Sequence, residues 1–230
     1  MLTADMISLG TWPTPVDEAP RLAARLGLDS LLIKRDDLVG LGGGGNKVRK
    51  LQYTCAEAIE AGARTLVTSG APQSNHARLT AAAAARLGLG CILVLGGDPV
   101  AERRGNLLLD ELAGAEIVWA GDRSSDEVVA EVVAEHPAAH AIPFGGTSRT
   151  SIRGYADCAR ELLDQVPDFD HVVVAVGSGG TMAGLVSELG PERVLGVDTG
   201  AVHDPRAVVA GLLDVDPVGL RIDRSQVGAG

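Results

Sequence analysis

Gly42-Gly43-Gly44-Gly45-Asn46-Lys47-Val48-Arg49-Lys50-Leu51 sets a lysine at the point where a run of glycines gives way to a helical pattern. Val48, Leu51, Cys55 and Ile59 recur at helical spacing, and Asn46 is a good N-cap, so Lys47 is expected in the first turn of a helix. The positive end of the helix dipole disfavours an ammonium there, and burial lowers a lysine pKa further. Both effects enrich the neutral amine that attacks a carbonyl. The glycines would let a flat ligand lie close to the backbone. Taken alone, the stretch also reads as a surface loop with a solvated lysine, so the neighbouring motifs decide.

Downstream, Thr68-Ser69-Gly70-Ala71-Pro72-Gln73-Ser74-Asn75-His76-Ala77-Arg78 joins an apolar strand to an alanine-rich helix. In an open parallel sheet, ligands bind at this strand-to-helix end. Ser74, Asn75 and His76 bring a hydroxyl, an amide and an imidazole to the free N–H groups of the helix start, a set suited to a carboxylate or phenolate oxygen. A plain capping role for Ser74 or Asn75, with His76 exposed, is the alternative. A third stretch, Gly177-Ser178-Gly179-Gly180-Thr181, follows the strand pattern His171 to Val176 and has the form of a phosphate cradle. Two nucleotide motifs fail. Lys47 is followed by Val48 where a P-loop needs Ser or Thr, and the third glycine of GxGxxG falls on Met182. A reactive lysine, an anion-binding turn and a phosphate loop on one sheet are the parts needed to hold pyridoxal phosphate.

Apolar runs at 31–34, 65–68, 91–95, 116–119, 141–144, 171–176 and 194–197 read as buried strands. Helical patterns at 46–61, 75–87, 106–112, 125–136, 152–166 and 181–189 alternate with them, so the fold class is α/β with helix-covered parallel sheets. With 230 residues and 46% hydrophobic content the chain can bury a sizeable core. No apolar stretch reaches the roughly 20 residues that span a bilayer, and no basic-then-apolar leader is visible, so the cytoplasm is expected. Twenty basic against 30 acidic residues give a formal charge of −10, which argues against nucleic acid and anionic membranes as partners. The three cysteines, Cys55, Cys91 and Cys158, show no CxxC and no histidine pair, so core thiols are expected rather than disulfides or a metal site. Asp36 and Asp37, beside Lys34 and Arg35, read as a salt-bridged turn.

In these motifs the chain resembles the fold-type II pyridoxal-phosphate enzymes, and most closely the D-cysteine desulfhydrase and 1-aminocyclopropane-1-carboxylate deaminase group. The resemblance runs through Thr11-Trp12-Pro13-Thr14-Pro15, Lys34-Arg35-Asp36-Asp37, Gly45 to Leu51, Gln73 to Arg78, Gly105-Asn106-Leu107-Leu108-Leu109 and Gly177 to Thr181. It implies a three-layer, tryptophan synthase β-like fold in which a smaller α/β domain (52–153) is inserted into a larger one (1–51 and 154–230), with the cofactor in the cleft between them. It further implies that Lys47, beside Asn46, carries pyridoxal 5'-phosphate and that Asn75 bonds the ring oxygen. Gly177, Ser178, Gly179, Gly180 and Thr181 would hold the phosphate. Ser74 would assist proton transfer, and Ser74, Asn75 and His76 would receive the substrate carboxylate, with His76 favouring the desulfhydrase branch. The implied reaction is β-elimination from a small amino acid, with Lys47 as base at the α-carbon. D-cysteine would give pyruvate, hydrogen sulfide and ammonia. The cyclopropane-ring deaminase, a cysteate sulfo-lyase and a truncated, non-catalytic cofactor binder are the alternatives. Relatives are longer, so the larger domain is expected to be incomplete, with an uncovered apolar face and reliance on a homodimer or a parent chain. Tyr53 and Tyr155 lie outside the family motifs, and core or interface packing is expected for both.

Overall fold

The computed structural model describes residues 6–100 and 102–227; Gln226-Val227-Gly228-Ala229-Gly230 reads from sequence as loop-like, and 228–230 lie outside the described residues. Among these residues are nine strands and eight helices. A short antiparallel pair, β1 (Val16–Glu18) and β2 (Leu32–Lys34), flanks α1 (Pro20–Leu26). The long helix α2 (Lys47–Glu60) follows the glycine run. Next come β3 (Thr65–Gly70), α3 (Asn75–Leu87), β4 (Gly90–Leu95), α4 (Asn106–Leu112), β5 (Glu116–Trp119), α5 (Ser125–Glu135) and β6 (Ala139–Ala141). These strands form a four-stranded parallel sheet in the order β5-β4-β3-β6. After α6 (Arg153–Gln165), β7 (Val172–Val176), α7 (Gly180–Leu189), β8 (Val194–Asp198), α8 (Pro205–Leu213) and β9 (Arg221–Asp223) build a three-stranded parallel sheet ordered β7-β8-β9.

Strand alternation sets the cores. Leu66, Cys91, Leu93 and Leu95 point to one face of the four-stranded sheet, where they pack with Val48, Leu51 and Cys55 of α2 and with Leu79 and Ala83 of α3. Val67, Ile92 and Val94 point to the other face and meet Val128 and Val132 of α5. The three-stranded sheet contributes Val176 and Val194 to a separate core with Tyr155, Met182, Leu185 and Val209. α6 packs along α7 and against α2, so α6 joins the two halves.

The strand expected at 141–144 ends at Ala141 instead. Pro143 cannot donate to a ladder, and Phe144–Gly146 tightens into a 3-10 turn. The cysteines are free and buried, and burial pushes each thiol up to about 12. Arg35 pairs with Asp17 and Asp37, whereas Asp36 turns inward to Arg49, so the expected salt-bridged turn is split between two arginines.

Candidate active site

Gly42 to Gly45 all have positive φ, and a Cβ on Gly44 would lie 1.8 Å from the Asp37 carbonyl oxygen. The glycines are therefore required by packing. Arg78 of α3 donates to the Gly42 and Gly44 carbonyls, so a guanidinium from this chain covers the loop where the sequence suggested a flat ligand. The capping expectation for Asn46 also changes. Its backbone is already helical and its side chain caps nothing; instead Nδ2 donates to Thr181 Oγ1 at 3.3 Å. The start of α2 is thereby tied to the start of α7.

Lys47 opens α2 half-buried, and burial alone lowers its pKa. One turn on, Lys50 is fully buried, donating to the Gly145 carbonyl and, at 2.8 Å, to Thr147 Oγ1. Burial, then the charge of Lys47, holds Lys50 well below the ordinary lysine value. The Thr147 hydroxyl meets Ser178 Oγ at 2.7 Å, and a Cβ on Gly180 would fall 2.9 Å from Thr147 Oγ1 and 3.3 Å from Lys50 Nζ. The loop Gly177 to Thr181 thus lies at the carboxyl end of β7, beside a buried lysine, with Gly179 in the left-handed conformation that turns the chain into α7. Thr199, just past β8, flanks Gly177.

At the carboxyl end of β3, Ser74 is the cap of α3: its Oγ accepts the Ala77 N–H at 3.2 Å and keeps its own proton free to donate. Asn75 is exposed at the first helical position. His76 departs from the expected set of open ligands. It is 3% exposed, with Nε2 2.9 Å from Thr68 Oγ1. The Thr68 hydroxyl already donates to the Ile142 carbonyl, so Nε2 carries the proton and the enclosed Nδ1 has no partner. Burial, followed by the charges of Lys50 and Lys47, pushes this imidazole well below its usual value. A carboxylate at the α3 start would therefore meet Ser74, Asn75 and first-turn N–H groups, with the His76 ring behind them.

Sequence reasoning missed Lys50, Thr147 and the link made by Tyr155. Lys50 had one readable signal, its i, i+3 spacing from Lys47 on one helix face. Tyr155 donates to Asp36 Oδ2 at 2.8 Å and sits 3.2 Å from the Asn46 carbonyl, so it supports the peptide preceding Lys47. Arg49 forks between Asp36 and Glu161 beneath it, stacked 4.2 Å from the centre of the Trp12 ring. Among the described residues, no cluster of His, Cys, Asp or Glu is arranged to hold a metal ion.

Two lysines and a histidine, each depressed by burial and two of them by their neighbours' charges, make a cluster that an anion would stabilise. With glycine N–H groups and hydroxyls opposite an amine, the donor set fits a phosphate ester that also bears a carbonyl. This places the chain in the class of fold-type II pyridoxal-phosphate enzymes. Residues 7–214 match the family described as pyridoxal-phosphate dependent enzyme, and the chain belongs to that family, whose cofactor is pyridoxal 5'-phosphate. It is 44% identical over 191 residues to a Pyrococcus abyssi protein provisionally named 1-aminocyclopropane-1-carboxylate deaminase, a match covering 78% of this chain and 57% of the relative. It is 41% identical over 187 residues to the D-cysteine desulfhydrase of Klebsiella pneumoniae, covering 75% and 56%. The matched region thus spans little more than half the length of these relatives. A solved structure of an ACC deaminase homologue superimposes with a TM-score of 0.80 at 35% identity, covering 94% of this chain and 72% of that one. The solved structure of a T.th. threonine deaminase gives 0.67 at 28% identity, covering 83% and 61%.

Proposed function

We propose that the chain builds the lysine side of a lyase site that eliminates a β-substituent from a small amino acid and deaminates it, with D-cysteine as the preferred substrate. The observation that carries this reading is the half-buried Lys47 amine, its pKa lowered by burial, at a helix start tied through Asn46 to the Gly177 to Thr181 loop. The division into a larger part (1–51 and 154–230) and an inserted smaller one (52–153) belongs to the same reading; its first cut falls within α2. So do a cytoplasmic setting and assembly as a homodimer.

When bound, pyridoxal 5'-phosphate supplies a carbonyl for amine exchange and a ring that accepts the electron pair released at the α-carbon. Lys47 would hold it through its amine, and that amine, its pKa lowered by burial, would take the α-proton. Gly177 to Thr181 and Lys50 would hold the phosphate. Ser74 and the first-turn N–H groups of α3 would orient the carboxylate, while Asn75 would donate to the ring oxygen. Loss of the thiol from the β-carbon and hydrolysis of the released enamine consume one water per cysteine and give pyruvate, ammonia and hydrogen sulfide.

The test adds pyridoxal 5'-phosphate to the purified chain and to Lys47→Ala, reads the visible absorption, and then assays D-cysteine, 1-aminocyclopropane-1-carboxylate and cysteate. A Lys47-dependent band with sulfide release is the expected result. 2-Oxobutanoate from the cyclopropane substrate, or sulfite from cysteate, reassigns the substrate. A band with no product from any of the three leaves a cofactor-binding protein, and no band in the folded chain overturns the reading.

A further inference from the structure

The motif Gly105-Asn106 has no place in the chemistry above, yet it clamps the loop that presents Asn75. Gly105 has φ +59°, and a Cβ there would lie 2.3 Å from Gln73 Oε1. That close approach lets the Asn106 backbone N–H donate to Gln73 Oε1 at 2.9 Å, while Gln73 Nε2 donates to the Arg104 carbonyl at 3.1 Å. The Asn106 side-chain Nδ2 donates to the Gln73 backbone carbonyl at 2.7 Å and to Asn75 Oδ1 at 3.1 Å. From the other side, the Arg78 guanidinium donates to the same Asn75 Oδ1 at 3.2 Å.

Amide orientation here follows from chemistry. A guanidinium only donates, so the Asn75 atom facing Arg78 must be its oxygen; a backbone carbonyl only accepts, so the Asn106 atom facing Gln73 must be its nitrogen. Both acceptor directions of the Asn75 carbonyl are therefore occupied. Its NH2 group is left with both protons free on the opposite side, although Asn75 is exposed and would otherwise sample both orientations. A phenolate oxygen accepts and never donates, so it is met well by that NH2 and repelled by the carbonyl.

We propose that Asn106 and Arg78 are positioning residues that lock the Asn75 amide with its NH2 toward the cofactor's ring oxygen. This rests on the reading that Asn75 faces that oxygen. Arg78 also holds the Gly42 and Gly44 carbonyls, so one guanidinium sets both the loop before Lys47 and the amide that serves the same ligand.

The deciding experiment uses Asn106→Asp, which keeps the shape but turns a donor into an acceptor, with Asn106→Ala as a second variant and circular dichroism to confirm folding. Pyridoxal 5'-phosphate is titrated into the wild type, Asn106→Asp, Asn75→Ala and the double variant, read by visible absorption. Asn106→Asp is expected to weaken uptake about tenfold, and to add no further loss in the Asn75→Ala background. Equal losses in both backgrounds overturn the proposal, because Asn106 would then act independently of Asn75. Without cofactor, 15N relaxation of the Asn75 side-chain amide gives an independent answer. A rigid amide in the wild type that falls below an order parameter of about 0.6 in either Asn106 variant supports the clamp. A mobile wild-type amide, or no change, overturns it. Absence of cofactor uptake by the wild type would sink the function proposed above, while the relaxation data would still decide the clamp.

Discussion

The two parallel sheets of this chain are made from similar residues and end up in different surroundings. β3 and β4 lie between two layers: Leu66 and Leu93 face α2 and α3, while Val67 and Ile92 face α5. β7 reads as an even more apolar strand, yet Val173 is 65% exposed and only the opposite face packs on α7. Hydropathy records that a strand can be buried. What covers it is supplied by distant chain, and the three-stranded sheet has one covered face among the described residues.

The largest effect that would break this contrast lies between the halves. Arg49 holds the half-buried Asp36 and also Glu161 of α6, and its guanidinium keeps the Asp36 carboxyl below its usual range against the desolvation that raises it. Arg49→Met leaves Asp36 with only the hydroxyls of Thr14 and Tyr155, and Glu161 with only Lys34; it is expected to cost about 3–5 kcal/mol in urea unfolding, and if the halves unfold separately, two transitions will replace one.

Within the enclosed half, Asp110 of α4 is completely buried, neither carboxylate oxygen having a partner. Burial pushes its carboxyl up to about 7, against the pull of Arg78, with the charge of Glu111 adding to the rise. The folded chain then binds that proton more tightly than the unfolded one. This contribution to stability is complete below the model-peptide value of 3.8 and is lost as pH rises to about 7. At about 1.4 kcal/mol per unit, the loss amounts to as much as about 4 kcal/mol. Asp110→Asn should flatten that part of the stability–pH curve, measured by urea unfolding between pH 5 and 8.

Leu93→Ala should cost about 3 kcal/mol, because β4 is sealed on both faces. Val173→Ser on the open face should change stability by less than about 0.5 kcal/mol. Comparable losses at the two positions in the purified chain would mean that a second copy covers β7 in solution, and sedimentation would show it.

Much of the framework was legible because it is local. Val48, Leu51 and Cys55 mark the buried face of α2, and α3 and α4 begin and end where the pattern places them. α8 lies outside the expected helical patterns although it carries its own start signal: Asp204 caps the N–H groups of Arg206 and Ala207, with Pro205 at the first position. The short strands β1, β2 and β9, three residues each, are too brief to print a period, and only β2 coincided with an apolar run. The site was half legible. Lys47, Ser74, Asn75 and the Gly177 to Thr181 loop stand at helix starts that the sequence announces. Lys50 and Arg78 carry little local sign of burial, because what buries them lies far along the chain: Gly145 is 95 residues from Lys50, and Gly42 is 36 from Arg78. His76 lies deeper than a first-turn position announces for the same reason, its ring being enclosed by Ile142 and Gly146.

The glycine run before Lys47 has a consequence at the level of the gene. Four successive residues hold left-handed backbone, and the neighbours of Gly42 and Gly44 leave no room for a Cβ. A glycine codon tolerates silent change only at its third base, so every missense change across this stretch adds a side chain to a loop that cannot take one. The lysine is therefore preceded by a mutational blind alley: its approach can drift in nucleotide sequence but hardly at all in protein sequence.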